Sequence, residues 1–290
     1  MNDYVLLTDV TVDISEEILK KYNVTAIPMP FFVEDKEYDH YSDFREYSFK
    51  DIFKLLRTKI KVTTAQINAE RYIEYFEAEL KKGNDIVYLC FSSGLSGSIQ
   101  SANIAKEALL EKYPDRKIYI VDSLCASCGF GLFVCWAADK KKETPNIEEF
   151  VKWCEGSKLH MCHWFTVEDL FFLHRGGRVS KTVAIAGSLL KIMPVMHMDN
   201  DGKLVLITKA RGRKAALEAL ADKMLETAID LEKQVIFIGH GDDLESAEYL
   251  KSYIAKKASP KDIIINEMGP IIGAHSGPGT IGVYFWGTER

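Results

Sequence analysis

The sequence predicts an α/β protein. An N-terminal domain carries a mostly parallel sheet flanked by helices, and a C-terminal α+β domain carries a mixed sheet. Three observations predict this. The first half repeats strand, polar loop and helix, the signature of parallel α/β units. Asp85 to Phe91 (DIVYLCF) is a continuous apolar run, as in strands covered on both faces. The second half mixes helical stretches with Asn200-Asp201-Gly202, a hairpin turn signal between two apolar runs. The chain has 290 residues, which suits two domains at about 100–200 residues each. They are expected at 1–160 and 161–290.

The elements follow in order. Tyr4 to Leu7 reads as a strand ending at Thr8-Asp9. Val24 to Val33 reads as a second strand, with Pro28 and Pro30 marking irregularity or an edge. The acidic stretch Glu34 to Glu46 reads as a solvated loop. Phe49 to Ile60 and Ala69 to Lys82 are amphipathic and helical. The strand at Asp85 to Phe91 ends in SSGLSGS and enters a helix over Ile99 to Glu111. A strand at Lys117 to Val121 ends at Asp122-Ser123. Cys128 to Lys140 then forms a mostly apolar helix. Thr8, Ser92 and Ser123 all follow strands, where parallel sheets place their ligand crevice.

Beyond this, Leu159 to Thr166 alternates as a strand, and Val167 to Leu173 reads as a helix stopped by Gly176-Gly177. Ile185 to Ile192 reads as a helix ended by Pro194. Pro194 to His197 and Leu204 to Thr208 form the hairpin. Ala215 to Leu231 and Leu244 to Lys256 are helical; Val235 to Gly239 and Ile263 to Met268 are strands. HSGPGTIGVYFW closes the chain as a glycine turn and a last strand.

Composition narrows the function classes. The chain is 47% hydrophobic and 27% charged, with a formal net charge of −5. An acidic surface repels a phosphate backbone, which disfavours general nucleic-acid binding. The N-terminus has no secretion signal, and the longest uncharged stretch, Leu124 to Ala138, is shorter than a membrane span. A cytoplasmic protein with at most transient membrane-surface contact is expected. Its six cysteines are then reduced.

The strongest motif is the loop from Phe91 to Ser98, holding Ser92, Ser93 and Ser96 between a buried strand and a helix. Glycines allow close backbone approach, and free N–H groups at a helix start favour an anion. The bland alternative is a capped helix with turn glycines; the anion site stands slightly ahead. No Lys-Ser/Thr ends the loop, so it is not a nucleotide P-loop. His275 beside Gly277-Pro278-Gly279 is equally readable as a carboxylate donor or base and as a surface residue of a turn. Arg175 and Arg178 flank Gly176-Gly177 and can clamp phosphate or carboxylate, but alone they read better as a basic helix C-terminus. Cys125-x-x-Cys128 lacks further ligands in reach, so buried thiols are favoured over zinc or redox chemistry. The turn at His240-Gly-Asp242-Asp243 is read as polar and not as a metal site, and His197 is assigned no chemistry. No metal and no cofactor are expected.

Together, in order, these motifs resemble the DegV family of bacterial fatty-acid-binding proteins, the B subunits of fatty acid kinase. Thr8-Asp9 with Asp13-Ile14 resembles TDS-x-x-D-L, with Val10 in place of Ser. Lys61-Val62-Thr63-Thr64 is similar to a Thr-Ser segment, and Ala65-Gln66-Ile67 departs from Gln-Pro-Ser. Ser92 to Ala102 is nearly the signature. Asp122-Ser123 with Ser127 and Gly129 matches D-S-x-x-x-S-x-G. Leu173 to Ser180 matches G-G-R-[IV]-S, Lys191 to Pro194 matches K-x-x-P, and His275 to Gly282 matches H-[TS]-G-P-G-T-[LI]-G.

The resemblance implies one long-chain fatty acid in a tunnel between the two domains, and a separate catalytic kinase subunit that phosphorylates its carboxylate with ATP. The acyl phosphate, a precursor for phospholipid synthesis, stays on the carrier, which is not itself an enzyme. Thr63, Thr64, Ser92, Ser93 and His275 are implied as carboxylate ligands, and Arg178 as kinase-facing or phosphate-steadying. The alternative from the same residue types is a serine hydrolase using Ser93 or Ser92 with His275, although a G-x-S-x-G elbow is absent.

Overall fold

A computed structural model describes residues 4–58, 60–187, 192–288 and 290. Three sheets organise it. The first uses β1 (Tyr4–Asp9) and β2 (Thr25–Ile27), which flank α1 (Glu16–Tyr22). Next come β3 (Met29–Val33), β4 (Lys36–His40), α2 (Phe49–Leu56), β5 (Val62–Thr64) and α3 (Ala69–Lys81). Then follow β6 (Asp85–Cys90), α4 (Ser98–Lys112) and β7 (Ile118–Asp122). The order β2-β1-β6-β7 is parallel throughout, and β6 is buried at every residue.

One predicted strand is two. Pro28 separates β2, in the parallel sheet, from β3, which starts a small antiparallel sheet β4-β3-β5. Pro30 has no N–H to give a ladder. The stretch read as a solvated acidic loop holds β4: Tyr38 stacks on Phe31 at 5.6 Å, and His40 is buried.

Two helices follow, α5 (Ser127–Glu143) and α6 (Ile147–Ser157). The second half contains β8 (Met161–Thr166), α7 (Leu170–Arg175), α8 (Lys181–Gly187), β9 (Ile192–Met198) and β10 (Leu204–Arg211). It ends with α9 (Arg213–Thr227), β11 (Val235–His240), α10 (Leu244–Lys257), β12 (Asp262–Glu267), α11 (Pro270–Ser276) and β13 (Ile281–Trp286). Its sheet, β10-β9-β8-β13-β11-β12, is mixed: only β11 and β12 are parallel. The two-domain α/β class read from the sequence therefore holds.

Local differences have physical causes. The helix expected over Ile185–Ile192 is α8, which starts earlier, and Ile192 already belongs to β9. Residues 188–191, and with them Lys191 of the K-x-x-P element, lie outside the described residues. The helix expected from Val167 begins at Leu170, because Asp169 caps it by accepting from the Phe171 N–H at 2.8 Å. The expected turn at His275 is the last turn of α11, opened by Pro270, whose missing N–H costs nothing there.

Packing joins the two halves. Helix α5 is apolar on all sides, and Ser127 to Cys135 are all buried. One face meets Val87, Leu89 and Val121 of the parallel sheet, and the other meets Phe237 and Tyr284 of the mixed sheet. Helices α3 and α4 cover the far face of the first sheet, through Tyr72, Phe76, Ala102 and Leu109. Helices α9 and α10 cover the far face of the second, through Leu217, Leu220, Leu250 and Ile254. Gly129 makes the α5 contact possible. A Cβ there would stand 2.4 Å from His163 Nε2 and 2.6 Å from Tyr284 Cδ1. Gly129→Val should therefore cost about 1–3 kcal/mol of stability by overpacking, read as a lower urea midpoint with an unchanged denaturant slope.

Candidate functional site

A cavity opens where the loops after β6 and β7 meet the mixed sheet and α11. About 730 Å³ is free of atoms, counting the part open to solvent. Phe91, Leu95, Phe165, Leu204, Ile271 and Ile272 give it apolar walls. The cavity lies at the carboxyl ends of β6 and β7, and Thr8, Ser92 and Ser123, expected to converge at such a crevice, are not among its lining residues.

Buried acids hold those loops in place. Asp9 ends β1 and accepts from the Tyr88 hydroxyl at 2.8 Å, the Phe91 N–H at 3.3 Å and the Thr11 N–H at 3.0 Å. Burial pushes its carboxyl up, and these donors pull it back down. Asp13 accepts from the Ser127 hydroxyl at 2.6 Å and the Gly269 N–H at 2.8 Å. Burial raises its carboxyl to about 7, against the pull of these two donors. Asp13 thus ties the loop after β1 to the starts of α5 and α11. Ser127 sits at φ 54°, an uncommon conformation for a residue with a side chain.

One end of the cavity is polar. Thr64 Oγ1 and His275 Nε2 are 2.8 Å apart. His275 Nδ1 is buried and unpartnered, and burial lowers the imidazole to about 4, helped by the Arg178 charge. The ring is therefore neutral at pH 7. Arg178 donates from Nε to the Leu95 carbonyl at 3.1 Å and also bonds the Gly176 carbonyl. Among the described residues no carboxylate pairs with it, and burial lowers its pKa. Ser96, just before α4, lines the same cavity. No Asp or Glu is among the described lining residues. A half-buried cation without a counter-charge and an orphaned imidazole nitrogen are suited to an anion.

The cavity runs along α11. His275 lies six residues beyond Gly269, about 9 Å at 1.5 Å per residue. Ser127, next to Gly269 through Asp13, also lines it. A ligand with its head at His275 can thus run a helix length inward, past Ile271, Ile272 and Met268.

The sequence candidates separate here. Thr64, His275 and Arg178 meet at the polar end, and Thr63 lines an adjoining vestibule. Ser92 and Ser93 do not line the cavity. The Ser92 hydroxyl is buried and donates to the Gly202 carbonyl at 2.8 Å. Ser93 is exposed, and its N–H donates to Asp122 Oδ1 at 3.1 Å. Ser123 donates to the Cys90 carbonyl at 2.6 Å, and Thr8 Oγ1 is buried without a partner. Ser96 and Ser276, whose hydroxyl is buried and unpartnered, were not singled out from the sequence as ligands. Ser96 was in the anion-loop motif, but three serines in one turn cannot be ranked without the register.

No nucleophile–base pair involves Ser92 or Ser93, since His275 bonds Thr64 and its Nδ1 has no orienting partner. Cys90, Cys125, Cys128, Cys135 and Cys154 are free thiols, and all six cysteines are buried. Burial raises Cys125 to about 11 and Cys128 well above its usual value, so neither is a reactive thiolate. His163 is fixed between the Met161 carbonyl and the Ala126 N–H. Asp242 and Asp243 pair with Arg57 and Arg213. Among the described residues no three His, Cys, Asp or Glu side chains are grouped to hold a metal. No helix there is long and apolar enough to cross a membrane.

The family profile described as "Uncharacterised protein, DegV family" matches residues 4–287. The chain belongs to the DegV family. A DegV domain-containing protein of Clostridium perfringens is 40% identical over 290 residues, covering 100% of this chain and 99% of its own. The structure of a DegV lipid-binding protein from Thermotoga maritima is 28% identical, with TM-score 0.86 and 99% of both chains covered. A second Thermotoga maritima protein, described as having a fatty acid binding function, is also 28% identical. Its TM-score is 0.84, over 99% of this chain and 100% of its own. The DegV motifs converge in space: Thr64, Ser96, Arg178 and His275 come from four separate motifs and line one cavity.

His275 provides a pH readout. The unfolded ring titrates near 6.5 and the folded ring near 4. Its contribution to stability is full above 6.5 and is lost as pH falls toward 4. In an NMR titration of the free protein its midpoint should lie near 4. An anion bound in the cavity beside the ring should raise that midpoint.

Proposed function

We propose that the protein binds one long-chain fatty acid, with the tail along α11 and the carboxylate at Thr64, His275, Ser96 and Arg178. The observation that carries this reading is the half-buried Arg178 guanidinium, without an acidic partner among the described residues, at one end of a mostly apolar cavity. Thr64 and His275 hold the carboxylate, and Thr63 faces the vestibule. Ser92 and Ser93 shape the turn that presents Ser96. Each buried CH₂ contributes about 0.8 kcal/mol, so the tail supplies most of the affinity and the head supplies orientation. The two Thermotoga relatives named for lipid and fatty acid binding support the ligand class.

The protein serves as a carrier that presents the carboxylate to a separate ATP-dependent kinase subunit. Residues 1–160 and 161–290 are the two lobes around the ligand. The partnership rests on the motif resemblance. The chain's contribution needs no nucleophile of its own, since the substrate carboxylate supplies it. Buried free thiols such as Cys90 and Cys125 fit a reducing cytoplasm.

Two measurements test this. Organic extracts of denatured protein should release a fatty acid at up to one per chain. Delipidated protein that binds no long-chain acid overturns the proposal. Arg178→Gln and His275→Ala should each weaken binding about 10- to 150-fold, since a charge-assisted hydrogen bond contributes about 1.5–3 kcal/mol. Fluorescent fatty acid displacement reads the change.

A further inference from the structure

The inner end of the cavity backs onto a second cleft, and the wall between them is thin. The cleft lies between the loop after β1, the end of β4 and strand β12, with about 1130 Å³ free of atoms, counting the part open to solvent. Asp13, Glu16, Glu17, Asp43 and Glu267 line it, whereas no Asp or Glu is among the described residues lining the cavity. At three places one residue faces the cavity and its immediate neighbour faces the cleft. Ser127 lines the cavity and donates its hydroxyl, at 2.6 Å, to Asp13, which lines the cleft. Met268 lines the cavity, and Glu267, next to it in the chain, lines the cleft. Met29 lines the cavity, and His40, its partner across the β3–β4 ladder, lines the cleft.

We infer that Met29 and Met268 are the stop for the methyl end of the tail and so select the chain length of the acid. This rests on the reading that the cavity holds an acyl chain with its head at His275. A tail laid along α11 leaves His275 at the last turn and arrives at Met268, which precedes the helix.

The rest of the wall does not yield. The Gly269 N–H donates to Asp13 at 2.8 Å. A Cβ on Gly269 would stand 2.3 Å from His40 Nε2 and 2.9 Å from Asp13 Oδ1, so these groups meet without slack. The two methionines are the soft part. Both are buried, and an unbranched thioether chain changes rotamer to fill the space a ligand leaves free. Beyond the wall a methylene gains nothing, because it enters water beside charged side chains. Affinity therefore grows with chain length only until the methyl end reaches this wall. Methionine to alanine removes Cγ, Sδ and Cε, which frees room for about three methylenes.

The test measures binding of saturated acids, from octanoate to docosanoate, to delipidated protein by displacement of a fluorescent fatty acid. It compares wild type with Met29→Ala, Met268→Ala and the double variant, with thermal unfolding as the folding control. Wild-type affinity should climb about fourfold per methylene and then fall beyond a limiting length. The double variant should move that limit outward by two carbons or more. It should also bind the first acid past the wild-type limit at least tenfold more tightly than wild type does. Each single variant should shift the limit less, and if the double variant unfolds, no shift in either single variant overturns the inference. An unmoved limit in a folded double variant overturns it. So does an equal outward shift in Leu204→Ala, since added volume anywhere in the cavity would then suffice. A shift in Met268→Leu as large as in Met268→Ala overturns it too, because that swap conserves volume. Wild type with no limit across the series overturns the wall as a stop and leaves the fatty-acid reading intact. Wild type that binds none of the acids overturns both.

Discussion

Helix α5 is the constraint on which the rest depends. It is apolar on every side through its first nine residues, so water cannot face any part of that stretch. Both sheets must cover it, and the loops after β6 and β7 are thereby brought against β8, β13 and α11. The cavity lies where those edges meet without filling the space between them. It is a consequence of packing two sheets on one short cylinder, and its apolar walls are continuous with the core. Long apolar ligands suit such a space because they extend the core instead of interrupting it.

Polar groups then fix what packing leaves loose. Asp9 and Asp13 are both buried, yet each accepts bonds from elements distant in sequence. A buried carboxyl is expensive unless its acceptors are used. Here each acid spends its acceptors on loops that border the cavity. Thr280 does similar work at the end of α11, where its hydroxyl donates to the Ser276 and Gly277 carbonyls at 3.0 and 2.8 Å. His275 and Arg178 therefore project from a firmly held frame and line the cavity.

Much of this was legible in the sequence. Continuous apolar runs such as Asp85 to Phe91 read as buried strands because both faces are covered. The Asn200-Asp201-Gly202 signal gave its hairpin, since a turn's requirements are local. Helix α11 was illegible because seven residues with Gly273 and a Pro-Gly-rich sequel carry too short a period to register. The division at Pro28 was illegible because the proline's effect depends on which strands pair on either side. Among Ser92, Ser93 and Ser96, chemistry is identical and only the turn's register decides which one meets the cavity. The serine loop was read from its motif between strand and helix; which of its serines lines the cavity needed the backbone.

The seam beside the cavity closes through missing atoms as much as through bonds. The hairpin tip rests on the serine loop. A Cβ on Gly94 would stand 2.7 Å from the Asp201 and Gly202 carbonyl oxygens, and one on Gly202 would stand 2.2 Å from Ser92 Oγ. A single methyl group at either place acts as a wedge. For an engineer this is a dial on the geometry of the seam: one added carbon can shift the hairpin against the serine loop, with Thr64, Arg178 and His275 left as they are.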